Sequence, residues 1–166
     1  MSAPHLALGP GREFDLVRAM LARWGSLASG VGDDAAILDL PPGERLVVST
    51  DASLEGVHFR REWLTPTEIG GRAVAAALSD LAAMAAAPRG LLIALALPDR
   101  WVSDVEALAD GIGEVARATG TPILGGNITR ADQLGITCTV LGSARNPIRR
   151  DGVVPGDILY VSGVLG

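Results

Sequence analysis

The sequence has no lysine; all 14 of its basic residues are arginine. A Walker A loop needs a lysine at the phosphates, so any phosphate chemistry here is not of the P-loop type. The bias accompanies richness in alanine and glycine and reads as genomic base composition. Cysteine is scarce as well. Cys138 stands alone, which excludes a disulfide framework within the chain and suits a reducing cytosol, so a cytoplasmic location is expected. Histidine occurs only twice. Neither a Cys/His cluster nor the signals of a Ser-His-Asp or Cys-His site are present.

Positive charge is also in deficit, with a formal net charge of −5. That argues against a nucleic-acid footprint or an anionic membrane surface as partner. It leaves phosphate ligands open, because a bound metal reverses the local sign. A long hydrophobic run is missing: the most apolar region, residues 73–97, is broken at Ser79-Asp80 and again at Pro88-Arg89, too interrupted for a membrane span. The first residues, "MSAPHLALGPGREF", lack a basic segment followed by an apolar core, so no signal peptide is expected. There is no internal repeat and no low-complexity linker.

What remains is an ordinary globular composition, 48% apolar and 20% charged over 166 residues. One domain with a real core is expected. Phe14, Val17, Leu21 and Trp24 recur at helical spacing within residues 12–28. "SGVGDDAA" reads as a glycine-rich loop, and "AILDL" and "RLVVSTDASL" as two strands separated by the turn "PPGE". "TPTEIGGRAVAAALSDLAAMAAAP" opens with Thr and Pro, carries Glu68 in its first turn and stops at Pro88, the signature of a helix. "GLLIALALP" reads as a buried strand. "VSDVEALADGIGEVARATG" reads as a helix with Ser103 as N-cap and Gly120 as C-cap. β-Branched segments at 134–142 and 157–162 follow "TPILGGNITR". Strands and helices mix without strict alternation, which predicts α+β rather than a doubly wound sheet. The chain stops in "YVSGVLG", directly after a predicted strand, which reads as one half of a larger protein.

The acids sit where chemistry is often found. Asp33 and Asp34 lie in the glycine loop, Asp51 follows hydroxyl residues Ser49 and Thr50, and Asp80 interrupts an alanine-rich helix. Mid-helix aspartate is mildly unfavourable and is rarely buried without a partner. Its neighbours Ala76, Ala77, Ala83 and Met84 predict that this face packs inward; the alternative is that Asp80 merely meets solvent. Acids without Cys or His suit a hard cation such as Mg²⁺, which takes carboxylate, hydroxyl and carbonyl oxygens and is commonly shared with substrate phosphates. Gly125 and Gly126 would let backbone approach a ligand closely, or simply form a turn. Arg149 and Arg150 would clamp phosphate or sit on a solvated face. His58 would touch a substrate or be structural.

Taken in order, "GVGDDAAIL", "VVSTDASLEGVHF", "ALSDLAAMAAAP", "ILGGN" and "RRDGVVPGDILYVSGVLG" resemble the thiamine-monophosphate kinase family. That family belongs to the superfamily of aminoimidazole ribonucleotide synthetase, selenophosphate synthetase and a hydrogenase maturation protein. The resemblance implies the N-terminal domain of that α+β fold: a mixed, largely antiparallel sheet packed with helices, its strands contributing to a homodimer interface. Residues 1–166 would be one nucleotide- and metal-binding domain, with the family's C-terminal domain absent. It implies phosphorylation of thiamine monophosphate by ATP, in line and with several Mg²⁺ ions. Asp34, Ser49, Thr50, Asp51 and Asp80 would be metal ligands, as would Asn127 in part. His58 would lie at thiamine monophosphate, with Gly125, Gly126 and Arg150 at the nucleotide.

Two departures stand out. The family has aspartate where this chain has Asn127, which removes a full negative charge from a clustered-Mg²⁺ site and bears on metal affinity and activity. Ala77 and Ala85 replace a polar residue and a glycine of the family's helix motif. A non-catalytic relative that dimerises and binds a phosphorylated ligand, and an enzyme acting on another ATP-activated substrate, are the alternatives.

Overall fold

The computed structural model describes residues 11–29, 31–161, 163 and 164. Three helices and four strands carry the architecture: α1 (Arg12–Trp24), β1 (Arg45–Leu54), α2 (Pro66–Ala83), β2 (Ala87–Leu97), α3 (Val105–Ala118), β3 (Ile123–Arg130) and β4 (Gly135–Ala144). The strands form one mixed sheet in the order β1-β4-β2-β3. β4 runs antiparallel to both β1 and β2, whereas β2 and β3, joined through α3, are parallel. The α+β expectation holds.

Alternation along each strand divides the sheet into two faces. Val47 on β1, Ile136, Cys138 and Val140 on β4, and Leu91, Ile93 and Leu95 on β2 are all buried. Against this face lies α2, whose Ile69, Ala73, Val74, Ala77 and Leu81 are buried in the same core. Helix α3 packs on α2 with almost no side chain between them. A Cβ at Gly70 would stand 2.3 Å from the Leu108 carbonyl oxygen, and one at Gly111 only 1.8 Å from that of Thr67. Glycine is required at both crossings. α1 then leans on α3, fixed by the Trp24 indole N–H donating to the Ala109 carbonyl at 2.8 Å.

The opposite face is open. Register places Thr50, Thr139, Leu92 and Gly125 in one row, Ala52, Thr137, Ala94 and Asn127 in the next, and Leu54, Gly135, Ala96 and Thr129 in a third. None of these twelve side chains is charged. Leu46, Val48 and Leu54 on the edge strand β1 are 50%, 53% and 39% exposed.

The structure departs from the sequence expectations in places. "AILDL" forms no strand; residues 36–40 are irregular. Residues 157–161 are likewise irregular and exposed, and Ser162 lies outside the described residues. Both segments have strand-like composition but, among the described residues, no neighbouring strand pairs with them, so propensity alone does not make them strands. α1 ends four residues early, at Gly25, whose φ of 56° breaks the helix. Ser103 is not a cap: it lies in a 3₁₀ turn, Asp99–Asp104, and α3 starts after Asp104. The C-cap of α3 is Thr119, and Gly120 stands one residue beyond it, its φ of 63° turning the chain out of the helix.

Candidate functional site

Among the described residues, β1 and α2 meet at one side-chain hydrogen bond, at the exposed end of an otherwise apolar packing. The Ser49 hydroxyl donates to Asp80 Oδ2 at 2.5 Å. Ser49 is there because alternation from Val47 carries odd-numbered residues of β1 toward the helices. Asp80 stands in the last turn of α2, where the helix dipole already places a partial negative charge. An acid at that end raises the local negative potential, which the hydroxyl offsets only in part. The carboxylate is exposed, as are Ala76 and Ala83, so this side of α2 does not pack inward as its composition suggests; Ala77 alone of the four neighbours is buried.

Asp51 shares the face of Ser49 and is exposed, its Oδ1 accepting the N–H of Ala52 at 2.8 Å. Its register partner across the sheet is Cys138. Burial pushes that thiol up to about 12, with the Asp51 charge adding to the shift. Asp51 thus belongs to the strand itself and not to a loop shared with His58. Thr50 points the other way, its hydroxyl 3.1 Å from that of Thr139 on the open face. Its side chain is therefore separated by the sheet from those of Ser49 and Asp51.

Beside the Ser49–Asp80 contact is a cleft of about 850 Å³ lined by Arg45, Ser49, Asp80, Ile148, Arg149 and Arg150, among others. The Ile148 N–H donates to the Met84 carbonyl at 3.0 Å, tying this segment to the end of α2. Arg149 is paired with Asp151 at 3.1 Å. Arg150 is exposed and faces the cleft without such a partner among the described residues.

His58 sits in a tight turn after β1. Its Nδ1 accepts the Leu54 N–H at 3.1 Å, and its own N–H donates to the Leu54 carbonyl at 2.8 Å. The acceptor role of Nδ1 leaves Nε2 as the outward-facing nitrogen. Two flanking residues fix the turn. Phe59 is buried with its ring edge-on to Trp101 at 6.5 Å between centroids. Glu55 Oε2 accepts from the Arg100 guanidinium at 2.7 Å, the Trp101 indole at 3.1 Å and the Leu134 N–H at 3.2 Å. Sequence reasoning passed over Glu55. Its spacing from His58 carries no signal by itself, since its three donors come from segments remote in the chain.

Gly125 and Gly126 lie inside β3 rather than in a turn, next to a register irregularity opposite Leu91 and Leu92. A Cβ at Gly126 would fall 1.9 Å from the Ile93 carbonyl oxygen, so strand packing alone demands glycine there. At Gly125 a Cβ would meet only a Leu92 methyl, at 3.6 Å. Asn127 pairs with Ala94 on the open face. Asp34 is exposed in the segment before β1, its N–H bonded to the Asp33 carboxylate at 2.9 Å.

The arrangement joins Ser49, Asp80 and Arg150, from three distant segments, at one cleft, with Asp51 on the same sheet face. It leaves Thr50 and Asn127 across the sheet. Among the described residues, no three His, Cys, Asp or Glu side chains converge on one point. The Ser49 hydroxyl and Asp80 carboxylate are nevertheless hard oxygen donors at the negative end of a helix. That chemistry fits Mg²⁺ and offers a soft metal nothing.

Comparison with known proteins follows the same segments. The family AIR synthase related protein, N-terminal domain, matches residues 32–144. The thiamine-monophosphate kinase of Bacillus subtilis (strain 168) is 35% identical over 161 residues, covering 93% of this chain and 50% of that protein. The crystal structure of thiamine-monophosphate kinase from Stenotrophomonas maltophilia K279a superposes with a TM-score of 0.68 at 36% identity, over 91% of this chain and 46% of that one. AaThiL complexed with AMPPCP and TMP gives 0.65 at 30% identity, over 84% and 43%. The chain spans about half the length of the curated relatives it matches.

Proposed function

Because this chain belongs to the AIR synthase related protein family, matching its N-terminal domain over residues 32–144, we propose that it is the nucleotide- and metal-binding half of a thiamine-monophosphate kinase. The reaction is transfer of a phosphoryl group from ATP to thiamine monophosphate, giving thiamine diphosphate. The observation that carries the reading is the Ser49–Asp80 bond beside the cleft that Arg150 lines. Those three residues were singled out by separate motifs, and the fold draws them together.

Catalysis of this kind is chiefly positioning and charge neutralisation. Mg²⁺, when bound, would supply positive charge against the negative charge that develops on transfer. Asp80 and Ser49 would hold it, with Asp51 from the same face of β1 and Asp34 from the preceding segment. Thr50 would contribute its main-chain oxygen, and Asn127, whose side chain lies across the sheet, would offer its amide oxygen to another of the several Mg²⁺ ions. Arg150 would hold nucleotide phosphate, and Gly125 and Gly126 would lie against the nucleotide. His58, held by Leu54 and bracketed by Glu55 and Phe59, would present Nε2 to the phosphate of thiamine monophosphate.

A homodimer belongs to this reading. The open sheet face is free of charge across twelve positions, and its edge leucines and valine are about half exposed. A second copy covering it would remove that apolar surface from water.

The test is calorimetric titration with a non-hydrolysable ATP analogue, with and without Mg²⁺. Asp51→Ala should abolish the Mg²⁺-dependent part of binding while circular dichroism stays that of the parent. A variant that binds as the parent does would remove Asp51 from the site. Asn127 favours a second reading, a ligand-binding module without turnover. Restoring the carboxylate with Asn127→Asp in a complete chain separates the two: a large gain in turnover belongs to a kinase with a weakened metal site.

A further inference from the structure

Of the 14 arginines, twelve have a stated use. Arg12, Arg18, Arg23, Arg61, Arg89, Arg100, Arg130 and Arg149 are ion-paired with carboxylates. Arg117 and Arg145 donate to backbone carbonyls. Arg60 lies over the Trp63 ring at 5.0 Å, and Arg72 acts on Glu68. Among the described residues the guanidiniums of Arg45 and Arg150 alone lack such a partner, and both line the 850 Å³ cleft.

That coincidence has a physical meaning. A chain with a net charge of −5 has acids to spare, yet two arginines 105 positions apart line one cleft without a carboxylate partner. The acids that share the cleft, Asp80 and Asp151, are already engaged by Ser49 and Arg149, so an anion bound there would give both guanidiniums the partner they lack. Strand geometry makes the placement specific. Arg45 shares the helix-side face of β1 with Val47, Ser49 and Asp51, and its Cα stands roughly 13 Å along the strand from that of Ser49. A single phosphate at the Ser49–Asp80 end would not extend to it. An elongated anion would.

We infer that Arg45 is a second arginine of the nucleotide site, holding the polyphosphate of an extended ligand together with Arg150. This rests on the nucleotide reading of the cleft and adds a residue to it. Arg45 lies outside the motifs that carry the family resemblance, and its position at the start of an edge strand gives no sequence signal for binding. Arginine suits the role because its fixed fork can engage two phosphate oxygens at once.

The experiment measures the affinity of the chain for a non-hydrolysable ATP analogue with Mg²⁺, in the parent and in Arg45→Met, Arg45→Lys and Arg72→Met. Arg45→Met is expected to weaken binding about tenfold or more, the usual range for losing a charge-assisted hydrogen bond. Arg45→Lys should recover part of that loss. Arg72→Met makes the same change in net charge away from the cleft and should bind as the parent does. Equal affinity of Arg45→Met and the parent would overturn the assignment of Arg45 while leaving the nucleotide site standing. Equal losses in Arg45→Met and Arg72→Met would overturn it as well, by reducing the effect to overall charge. A folded parent that does not bind the analogue would overturn the nucleotide reading and this inference with it.

Discussion

Ala85 is the one described non-glycine residue with positive φ, at 52°. It follows the end of α2, where the chain turns back toward β2 and a left-handed residue is needed. An L-residue there suffers a clash between Cβ and the carbonyl that glycine avoids. The thiamine-monophosphate kinase motif has glycine at this position, so the departure noted in the sequence is a backbone matter and not a chemical one. Ala85→Gly should therefore raise stability, by about 0.5–1 kcal/mol once the greater freedom of glycine in the unfolded chain is set against the relief. The midpoint of urea unfolding is the readout, and an unchanged or lower midpoint would contradict the strain. The same scale separates Thr50 from its neighbours. Ser49, Thr50 and Asp51 look alike as a run of oxygen donors, but a strand sends the middle one to the opposite face. That division was available from alternation in the sequence once β1 was recognised.

At the scale of elements, α2 shows how far local signals reach. Thr65 and Glu68 form a reciprocal cap: the Thr65 N–H donates to Glu68 Oε2 at 2.7 Å and the Glu68 N–H to Thr65 Oγ1 at 3.3 Å. The backbone bond from Thr65, then its hydroxyl, hold the Glu68 carboxyl below the usual glutamate range. A carboxylate lowered by folding stabilises the native state above its unfolded-state pKa, and the contribution fades as pH falls through the depressed folded value. Thr65→Ala should cost about 1 kcal/mol at neutral pH. In Glu68→Gln, the part of the acid limb of the stability–pH curve that belongs to this cap should vanish. An acid limb identical to the parent's would mean the cap does not titrate.

Helix α2 and strand β1 were legible because their caps and alternation are local. Residues 36–40 and 157–161 misled because whether an apolar run becomes a strand depends on a neighbour to pair with, which composition does not record. Glu55 was invisible for the same reason: its three donors converge only after folding. The site was legible as a set of residues, but its division between the two faces of the sheet and the place of Arg45 in the cleft came only with the fold.

For the whole molecule, the uncovered face is the feature with the widest reach. One side of the sheet packs against α2; on the other, Leu46, Val48 and Leu54 stand beside rows without charge. The reading as a dimeric kinase half predicts that the chain self-associates through this face. Val48→Glu should yield a monomer with parent-like circular dichroism, because a carboxylate at a covered position would have to be desolvated without a partner. Light scattering decides it. A parent that is already monomeric at high micromolar concentration would remove the dimer from the proposal.

The sheet also holds its only thiol in an unusual place. Cys138 lies in an interior strand, buried on the helix side, and burial pushes its thiol up to about 12. Alkylating reagents attack the thiolate. Reaching it requires β4 to be uncovered and its surroundings hydrated, which frayed edges or moving loops do not accomplish. The rate of alkylation at this atom therefore counts excursions of the core itself, and the chain carries its own clock for the opening of its centre.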